Sequence, residues 1–413
     1  MEHNASKLEY SAGIVLTLPI FAFFFVYVFG IFVGLTQGKT LFLGSLGAFL
    51  LALAALGAFR IVPQIFLSPA QTAFAIKQST LFGVAISMLP YAAICFISED
   101  SSKQLIYLAI IYASMALALH FRIDEPLLSK LAIILFIAVS IHLLLFPVLG
   151  FPKFYKSLFA QKNVFALNIL IIFFSSYFVF QTSCIRNNKV LAACTMVTCI
   201  TLVLLSHSRG VFLDIAFFLF LSLFWRFFSK SRFRYWAIFC SFILMIVALI
   251  PTYVFFSYSA AGYQMNAFVH EYTGVQLFSG RNIIWPAYLY FITLKPFLGY
   301  GFGDRVANMM MTVGLPPDVI GLSAHNLYLM VATQTGLLGL TALIFFFGML
   351  WALLYRNRLT KVGSIACVVF LTGLFNEMLE VTLIQTNFDV VVFFWFLVAL
   401  GLRMDRNANA KLR

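Results

Sequence analysis

The sequence predicts an all-α integral membrane protein with about twelve transmembrane helices, organised as a single polytopic domain over residues 1–413. Hydrophobic residues make up 62% of the chain and charged residues only 10%, whereas soluble domains have roughly 45–50% and 25%. Apolar runs of about 20 residues recur, and each can cross roughly 30 Å of hydrocarbon as a helix. Because lipid offers the backbone no hydrogen-bond partners, these runs are predicted to be helices rather than strands.

The predicted spans follow one another through short connections until one long connector interrupts them. The first apolar run, Ile14 to Leu35, is too long for a signal-peptide core and lacks a clear small-residue cleavage site, so it is predicted to stay as a span. The connector, residues 257–324, separates the ninth span from the tenth. The spans are predicted at 13–35, 40–59, 79–98, 104–121, 128–149, 164–182, 189–206, 211–228, 235–256, 325–355, 362–380 and 386–403.

Within the connector, the apolar stretch Ile283–Leu294 is too short to cross a bilayer. Its Trp285, Tyr288 and Tyr290 are of the residue types that are enriched where membranes meet water. We therefore predict that the connector contains short helices that lie in the interface or dip into it.

The Lys and Arg residues predict the orientation, since basic residues concentrate in cytoplasmic loops. Eighteen of the 27 lie on the side that holds both ends of the chain, and nine lie on the other side. Both termini are therefore predicted to be cytoplasmic, and the connector 257–324 is predicted to lie outside the cytoplasm. This asymmetry accounts for the net charge of +13, so no nucleic-acid partner is expected.

Neither a metal nor a cofactor is predicted. The six cysteines lie in or beside apolar runs without CxxC or metal-ligand spacing, and we interpret them as small hydrophobic residues. The chain has no P-loop pattern, no DxD and no His/Asp/Glu cluster at ligand spacing. Glu377 and Glu380, one helical turn apart, could hold a cation, but a role in balancing nearby arginines is favoured.

Arg209 lies in Ser206-His207-Ser208-Arg209-Gly210, between the seventh and eighth predicted spans. An arginine costs roughly 2.5–3.5 kcal/mol at the centre of a membrane helix and less near its ends, so a partner is expected. Asp214, about one turn into the next span, is one candidate and an anionic ligand is the other. The sequence leaves both open.

Arg281 is predicted on the same outer face. It stands between Gly280 and Asn282, directly before the interfacial stretch. Backbone amides at the start of a helix favour an anion there. An ordinary exposed loop arginine is the alternative interpretation.

His325 follows Ser323, which is predicted to cap a helix that runs to about Tyr355. Such a helix would be roughly 46 Å long, so it is expected to project beyond the bilayer core or to break near Gly336 and Gly339. Either way His325 lies at the outer surface, where an imidazole suits a general base. A histidine that only packs or hydrogen-bonds is the alternative.

These motifs together resemble the Wzy/WaaL family of polytopic glycan ligases and polymerases. The motifs cover roughly residues 206–340, and the span pattern extends the resemblance to the whole chain. The matching stretches are Ser208-Arg209-Gly210, Gly280-Arg281 with Trp285 and Ala287, the run Pro296-Phe-Leu-Gly-Tyr-Gly-Phe-Gly303, and His325-Asn326-Leu-Tyr-Leu followed by Gly336-Leu-Leu-Gly339.

The resemblance implies a glycosyltransferase that moves O-antigen polysaccharide from undecaprenyl pyrophosphate to the lipid A–core, at the periplasmic face of the bacterial inner membrane. It implies that His325 is the catalytic base and that Arg209 and Arg281 hold the pyrophosphate. Guanidinium groups can neutralise that leaving group without a metal, so we expect a metal-independent reaction. We expect in-line attack by the acceptor hydroxyl, which inverts the stereochemistry. Supporting roles are assigned to Ser208, Gly210 and Asn326. The chain length and the single large outer loop favour a ligase over a polymerase, which would use the same carrier.

A secondary transporter or flippase is the alternative from another class. It would require charged or broken helices at mid-membrane, whereas most ionisable residues here fall in loops. Lys153, Lys156 and Lys162 form a basic outer loop, for which contact with lipid headgroups is favoured. Roles in structural pairing or along a sugar path stay open for Asp304, Arg305 and Asp389.

Overall fold

The computed structural model describes residues 71–403, apart from 121–122, 160, 274–276, 279, 304–305, 307, 309–310, 312–322 and 385–387. This part of the chain is helical and contains no β-strand. The prediction of an all-α fold is therefore confirmed. The first two predicted spans, 13–35 and 40–59, lie outside the described residues.

Twelve α-helices occur in the described part of the chain, and they are numbered here from its start. They are α1 Gln71–Ile97, α2 Ser102–His120, α3 Glu125–Val148, α4 Lys162–Thr182, α5 Arg186–Ser206, α6 Arg209–Lys230, α7 Arg232–Ser257, α8 Ala260–Thr273, α9 Arg281–Leu294, α10 Leu327–Leu354, α11 Lys361–Asn376 and α12 Phe388–Leu400. A short 3-10 helix, Tyr355–Asn357, extends α10.

Eight of the described helices are long and apolar enough to cross a membrane, and they are α1 to α7 and α10. Two shorter apolar helices, Lys361–Asn376 and Val390–Leu400, follow them. These ten coincide with the predicted spans from 79–98 onward, so the chain is a multi-pass membrane protein. The short helices α8 and α9 fall inside the predicted connector 257–324.

Helix α4 lies at the centre of the bundle. About 78% of its apolar stretch is buried, against 22–50% for the other seven long helices, and it contacts α3, α5, α6, α11 and α12. Helices nearer the outside keep large apolar side chains exposed, for example Leu223, Leu244 and Phe255. Exposed apolar side chains of this kind suit contact with lipid tails.

The predicted break in the long tenth span is confirmed at Gly336, whose φ of 69° and ψ of −175° interrupt α10. The freed carbonyls of Thr333 and Gln334 accept hydrogen bonds from the amides of Tyr300 and Gly301, at 2.9 and 2.8 Å. The glycine-rich run 296–303 therefore fills the break. Gly339, the other predicted position, stays helical.

Helix α11 ends at Asn376, four residues before the end of the predicted span 362–380. The residues that follow, 377–384, leave the helical path, and we call them the 377–384 turn. The buried Glu377 carboxylate accepts hydrogen bonds from the amides of Thr382 and Leu383, at 2.9 Å each, which closes the turn on itself. These bonds replace the helical continuation that the apolar pattern predicts.

Candidate active site

The 377–384 turn is the point at which distant parts of the chain meet. The Glu377 carbonyl accepts a hydrogen bond from the Leu327 amide at 2.9 Å, which joins the turn to the start of α10. The Leu383 carbonyl accepts one from the Trp395 indole at 2.8 Å, which joins it to α12. The turn is therefore a fixed platform rather than a loose connection.

His325 stands on this platform. Its Nδ1 lies 2.9 Å from Oε2 of Glu380, and its side chain is 45% exposed while that of Glu380 is only 17% exposed. The residue has a left-handed backbone, with φ of 46°. The imidazole is thus anchored on one side by a partly buried carboxylate and open on the other.

The helix after His325 begins differently from the sequence prediction. Its N-cap is Asn326, whose Oδ1 accepts a hydrogen bond from the Leu329 amide at 3.0 Å. The predicted cap, Ser323, was wrong, because its Oγ accepts a hydrogen bond from the amide of His325 instead, at 3.2 Å. Asn326 also donates to the Met378 carbonyl at 3.1 Å, so it ties the start of α10 to the turn.

Arg281 reaches the same carboxylate from α9. It is the first residue of that helix, and its Nη2 lies 4.0 Å from Oε1 of Glu380. The same Nη2 donates a hydrogen bond to the Leu379 carbonyl. The indole of Trp285 on α9 donates to the Ala324 carbonyl at 2.8 Å, which fixes α9 against the residue before His325.

Tyr288, on the same helix as Arg281, is the hydroxyl-bearing neighbour of Ala324. Burial raises the pKa of its phenol to about 12, and an interaction with the Ala324 backbone opposes this only in part. The phenol therefore stays neutral near pH 7. It does not compete with the imidazole as a base.

Arg209 is the first residue of α6 and is exposed. The hydroxyl of Tyr253 is close enough to both Arg209 and Arg281 to interact electrostatically with each. Gly210 lies beside Leu379, since a Cβ there would be 3.8 Å from a methyl of Leu379. The structure therefore brings Arg209 to the same end of the bundle as Arg281 and His325.

Asp214, the protein partner considered for Arg209, is engaged elsewhere. It is fully buried on α6, and its Oδ2 accepts a hydrogen bond from the Asn376 side chain at 2.7 Å. Of the two candidates left open for Arg209, Asp214 is thus bonded to the end of α11. Ser208, which was given a supporting role, is buried before α6 and makes no side-chain cap bond.

Two contacts at Glu380 were missed by sequence reasoning. The first is its contact with His325, since the sequence had suggested only an arginine as its partner. The second is Asn163, at the start of α4, whose Nδ2 donates to Oε1 of Glu380 at 3.1 Å. Asn163 is 217 positions away in the chain, so no local pattern could have linked the two.

Within the described residues, no group of three or more His, Cys, Asp or Glu side chains could hold a metal ion. All six cysteines are free. Glu377 is bound inside its own turn, whereas Glu380 approaches an arginine. Asp304, Arg305 and the side chain of Asp389 lie outside the described part of the chain.

Comparison with known proteins identifies a family that part of the chain resembles. No curated protein matches the chain. Residues 194–346 match the Wzy_C family model, which is described as O-antigen ligase. The matched segment contains Arg209, Arg281 and His325, while Glu380 lies beyond it. The family resemblance predicted from the motifs is therefore confirmed: over residues 194–346 the chain is similar to the O-antigen ligases.

Proposed function

We propose that the chain is a glycosyltransferase of the O-antigen ligase type, which transfers O-antigen polysaccharide from undecaprenyl pyrophosphate to the lipid A–core. The family match supports transfer of a lipid-linked glycan in a membrane. The single observation that carries the specific mechanism is the Glu380 carboxylate, which contacts both His325 and Arg281. A proton acceptor and an anion-binding group are thereby held in one place.

The carboxylate of Glu380 prepares His325 to act as a base. An ionised carboxylate can only accept hydrogen bonds, so Nδ1 of His325 carries the proton of their 2.9 Å contact. Nε2 is then left with a lone pair for a substrate proton. Glu380 also stabilises the imidazolium that forms, as the aspartate of a Ser-His-Asp triad does.

The two arginines supply positive charge for the leaving group. A charge-assisted hydrogen bond contributes about 1.5–3 kcal/mol, and a fixed guanidinium is most effective where negative charge develops during the reaction. Arg209 and Arg281 open different helices at the same end of the bundle. In this arrangement they neutralise the pyrophosphate, and the mechanism assigns no metal or cofactor to that task.

The reaction is a single displacement. A hydroxyl oxygen of the acceptor sugar forms a bond to the anomeric carbon of the donor while its proton passes to Nε2 of His325. The bond from the anomeric carbon to the phosphate oxygen breaks, and its electron pair leaves with undecaprenyl pyrophosphate. One attack from the opposite side inverts the stereochemistry at the anomeric carbon.

The Lys and Arg distribution supports the placement of this reaction on the periplasmic face of the inner membrane, with both termini in the cytoplasm. Arg209 and His325 lie at or near the starts of α6 and α10, whose far ends adjoin predicted cytoplasmic loops. Arg281 lies in the predicted outer connector. The 257–324 connector would then lie in the periplasm, between the ninth and tenth spans.

The test replaces His325 by Ala in a bacterial strain that lacks the native protein. We expect lipid A–core without O-antigen to accumulate, while polymerised glycan remains on the carrier lipid. His270→Ala is the matched control, because His270 is exposed on α8 and has no role in the proposed reaction.

A polymerase defect gives a different pattern, in which the core carries one repeat unit only. That pattern in the His325→Ala strain would replace the ligase proposal by the polymerase. Normal capped lipopolysaccharide at wild-type protein levels would remove His325 from the mechanism altogether.

A further inference from the structure

Lys162, the first residue of α4, lies beside the proposed site although it was assigned to a loop that contacts headgroups. Its Nζ is 4.6 Å from the centre of the Phe154 ring. That ring packs edge-to-face on His207, with centroids 5.6 Å apart, and His207 is two residues before Arg209. The amide of Tyr155 donates to the Leu205 carbonyl at 3.1 Å, which fixes this loop against the end of α5.

The next residue on α4, Asn163, contacts the proposed site directly. Asn163 donates to Oε1 of Glu380, the oxygen that also lies nearest Arg281. Lys162 is therefore adjacent in the chain to a residue that touches the central carboxylate. It is also close enough to Arg209 for the two cations to repel each other.

Two neighbouring cations repel each other, and an anion that binds between them offsets that repulsion. A diphosphate ester carries two negative charges, and Glu380 offsets part of the positive charge of Arg281. Two arginines and one carboxylate thus leave one net positive charge, which does not balance the two negative charges of a diphosphate. A third cation at Lys162 restores the balance.

We propose that Lys162 is the third cationic group of the site and contacts the diphosphate of the carrier lipid together with Arg209 and Arg281. This inference rests on the proposed function. It replaces the headgroup role for Lys162, while Lys153 keeps that role.

Lys153 offers a matched comparison, because it lies over the same Phe154 ring, at 5.6 Å, on the same loop. Lys153 is exposed, whereas Lys162 is partly buried. General attraction of anionic lipid by the loop would use both lysines alike. Binding of a diphosphate in the site would use Lys162 alone.

The experiment measures glycan transfer by the full-length protein in vesicles of phosphatidylethanolamine, with and without phosphatidylglycerol. We expect Lys162→Gln to raise KM for the lipid-linked donor by about tenfold, the effect of losing one charge-assisted contact. Lys162→Arg should restore KM to within about threefold, since it keeps the charge. Lys153→Gln should leave KM unchanged in phosphatidylethanolamine alone.

A second measurement uses undecaprenyl pyrophosphate and undecaprenyl phosphate as competitors of the donor. The wild-type protein should be inhibited more strongly by the diphosphate, and Lys162→Gln should lose most of this preference. If the Gln variant does not accumulate in the membrane, Lys162→Met keeps the apolar stem against Phe154 and takes its place.

Equal effects of Lys162→Gln and Lys153→Gln, or effects that appear only with phosphatidylglycerol, would assign both lysines to headgroups and overturn the inference. An unchanged preference between the two competitors would also overturn it. Inactivity of His325→Ala alongside wild-type behaviour of Lys162→Gln would reject this inference alone. Transfer that survives His325→Ala would reject the proposed mechanism, whatever the behaviour of Lys162→Gln.

Discussion

The two ends of the helix bundle both use arginine, but they give it different partners. At the end of α6 that contains Lys230, the Arg358 side chain donates to the carbonyls of Ser229 and Tyr355, at 2.8 and 2.9 Å. At the end that contains Arg209, Arg281 approaches a carboxylate that is shared with a histidine. Backbone carbonyls make an arginine a structural anchor, whereas a shared carboxylate couples it to a group that can accept a proton.

The side chains that pack at the two ends of the bundle also differ. At the Arg358 end, Tyr235 stacks on Trp351 with centroids 4.1 Å apart, and each side chain hydrogen-bonds to the backbone carbonyl of the other. At the other end the chain leaves the helical path in the 377–384 turn and at His325. The first end is closed by aromatic rings, and the second presents polar side chains on a fixed platform.

Replacement of Glu380 by Gln is expected to have the largest effect on activity. The amide keeps the shape but cannot hold His325 as a carboxylate does, so kcat should fall by about 10²- to 10⁴-fold. KM for the donor should change far less. Glu380→Asp should recover part of kcat, because it restores the charge at a shorter reach.

The measurement is the transfer rate of reconstituted protein over a range of donor concentrations. A purely structural role would instead lower the amount of folded protein and leave kcat per folded molecule intact. That result for Glu380→Gln would mean that the partners of arginine have a structural role at both ends of the bundle.

Replacement of Asn326 by Ala should have an intermediate effect. It removes the cap of α10 and the bond to Met378, and loss of an N-cap costs about 0.5–2 kcal/mol. Because His325 precedes this cap directly, we expect a lower melting temperature together with a several-fold loss of kcat. Asn326→Asp keeps the cap acceptor but not the donor, and should recover most of the thermal stability.

Replacement of Arg358 by Gln should have the smallest effect on catalysis. Its two bonds to carbonyls are lost, and the free energy of unfolding should fall by about 1–3 kcal/mol. Thermal denaturation in detergent should show this loss, while kcat per folded molecule stays at the wild-type value. A drop in kcat comparable to that of Glu380→Gln would contradict the assignment of this end as an anchor.

Much of the bundle could be predicted because a transmembrane helix is a local property of composition. Ten spans were located from apolar runs, and the break at Gly336 from a helix too long for the bilayer. The end of α11 could not be located in this way, because apolar residues continue past Glu377 and its side chain alone closes the turn. Hydropathy does not register such a bond.

The candidate site also contains residues that the sequence could predict and residues that it could not. Arg209, Arg281 and His325 stand out from their own neighbours in the sequence, so each could be named without the fold. Glu380 and Asn163 become informative only through contacts with residues 55 and 217 positions away. The capping role given to Ser323 failed because His325 has a left-handed backbone, and the N-cap lies three residues later, at Asn326.

The interruption at Gly336 divides α10 into two helical parts, residues 327–335 and 337–354. The 296–301 run, which continues from α9, bonds to both parts. Its Tyr300 and Gly301 amides donate to carbonyls of residues 333 and 334, and its carbonyls at 296 and 297 accept from the amides of residues 337 and 338. The part of the chain that follows Arg281 and α9 is therefore tied to α10 on both sides of the interruption. Stretching or thinning of the surrounding bilayer would therefore be transmitted from the lower half of α10 through this one short run to the segments that hold His325 and Arg281.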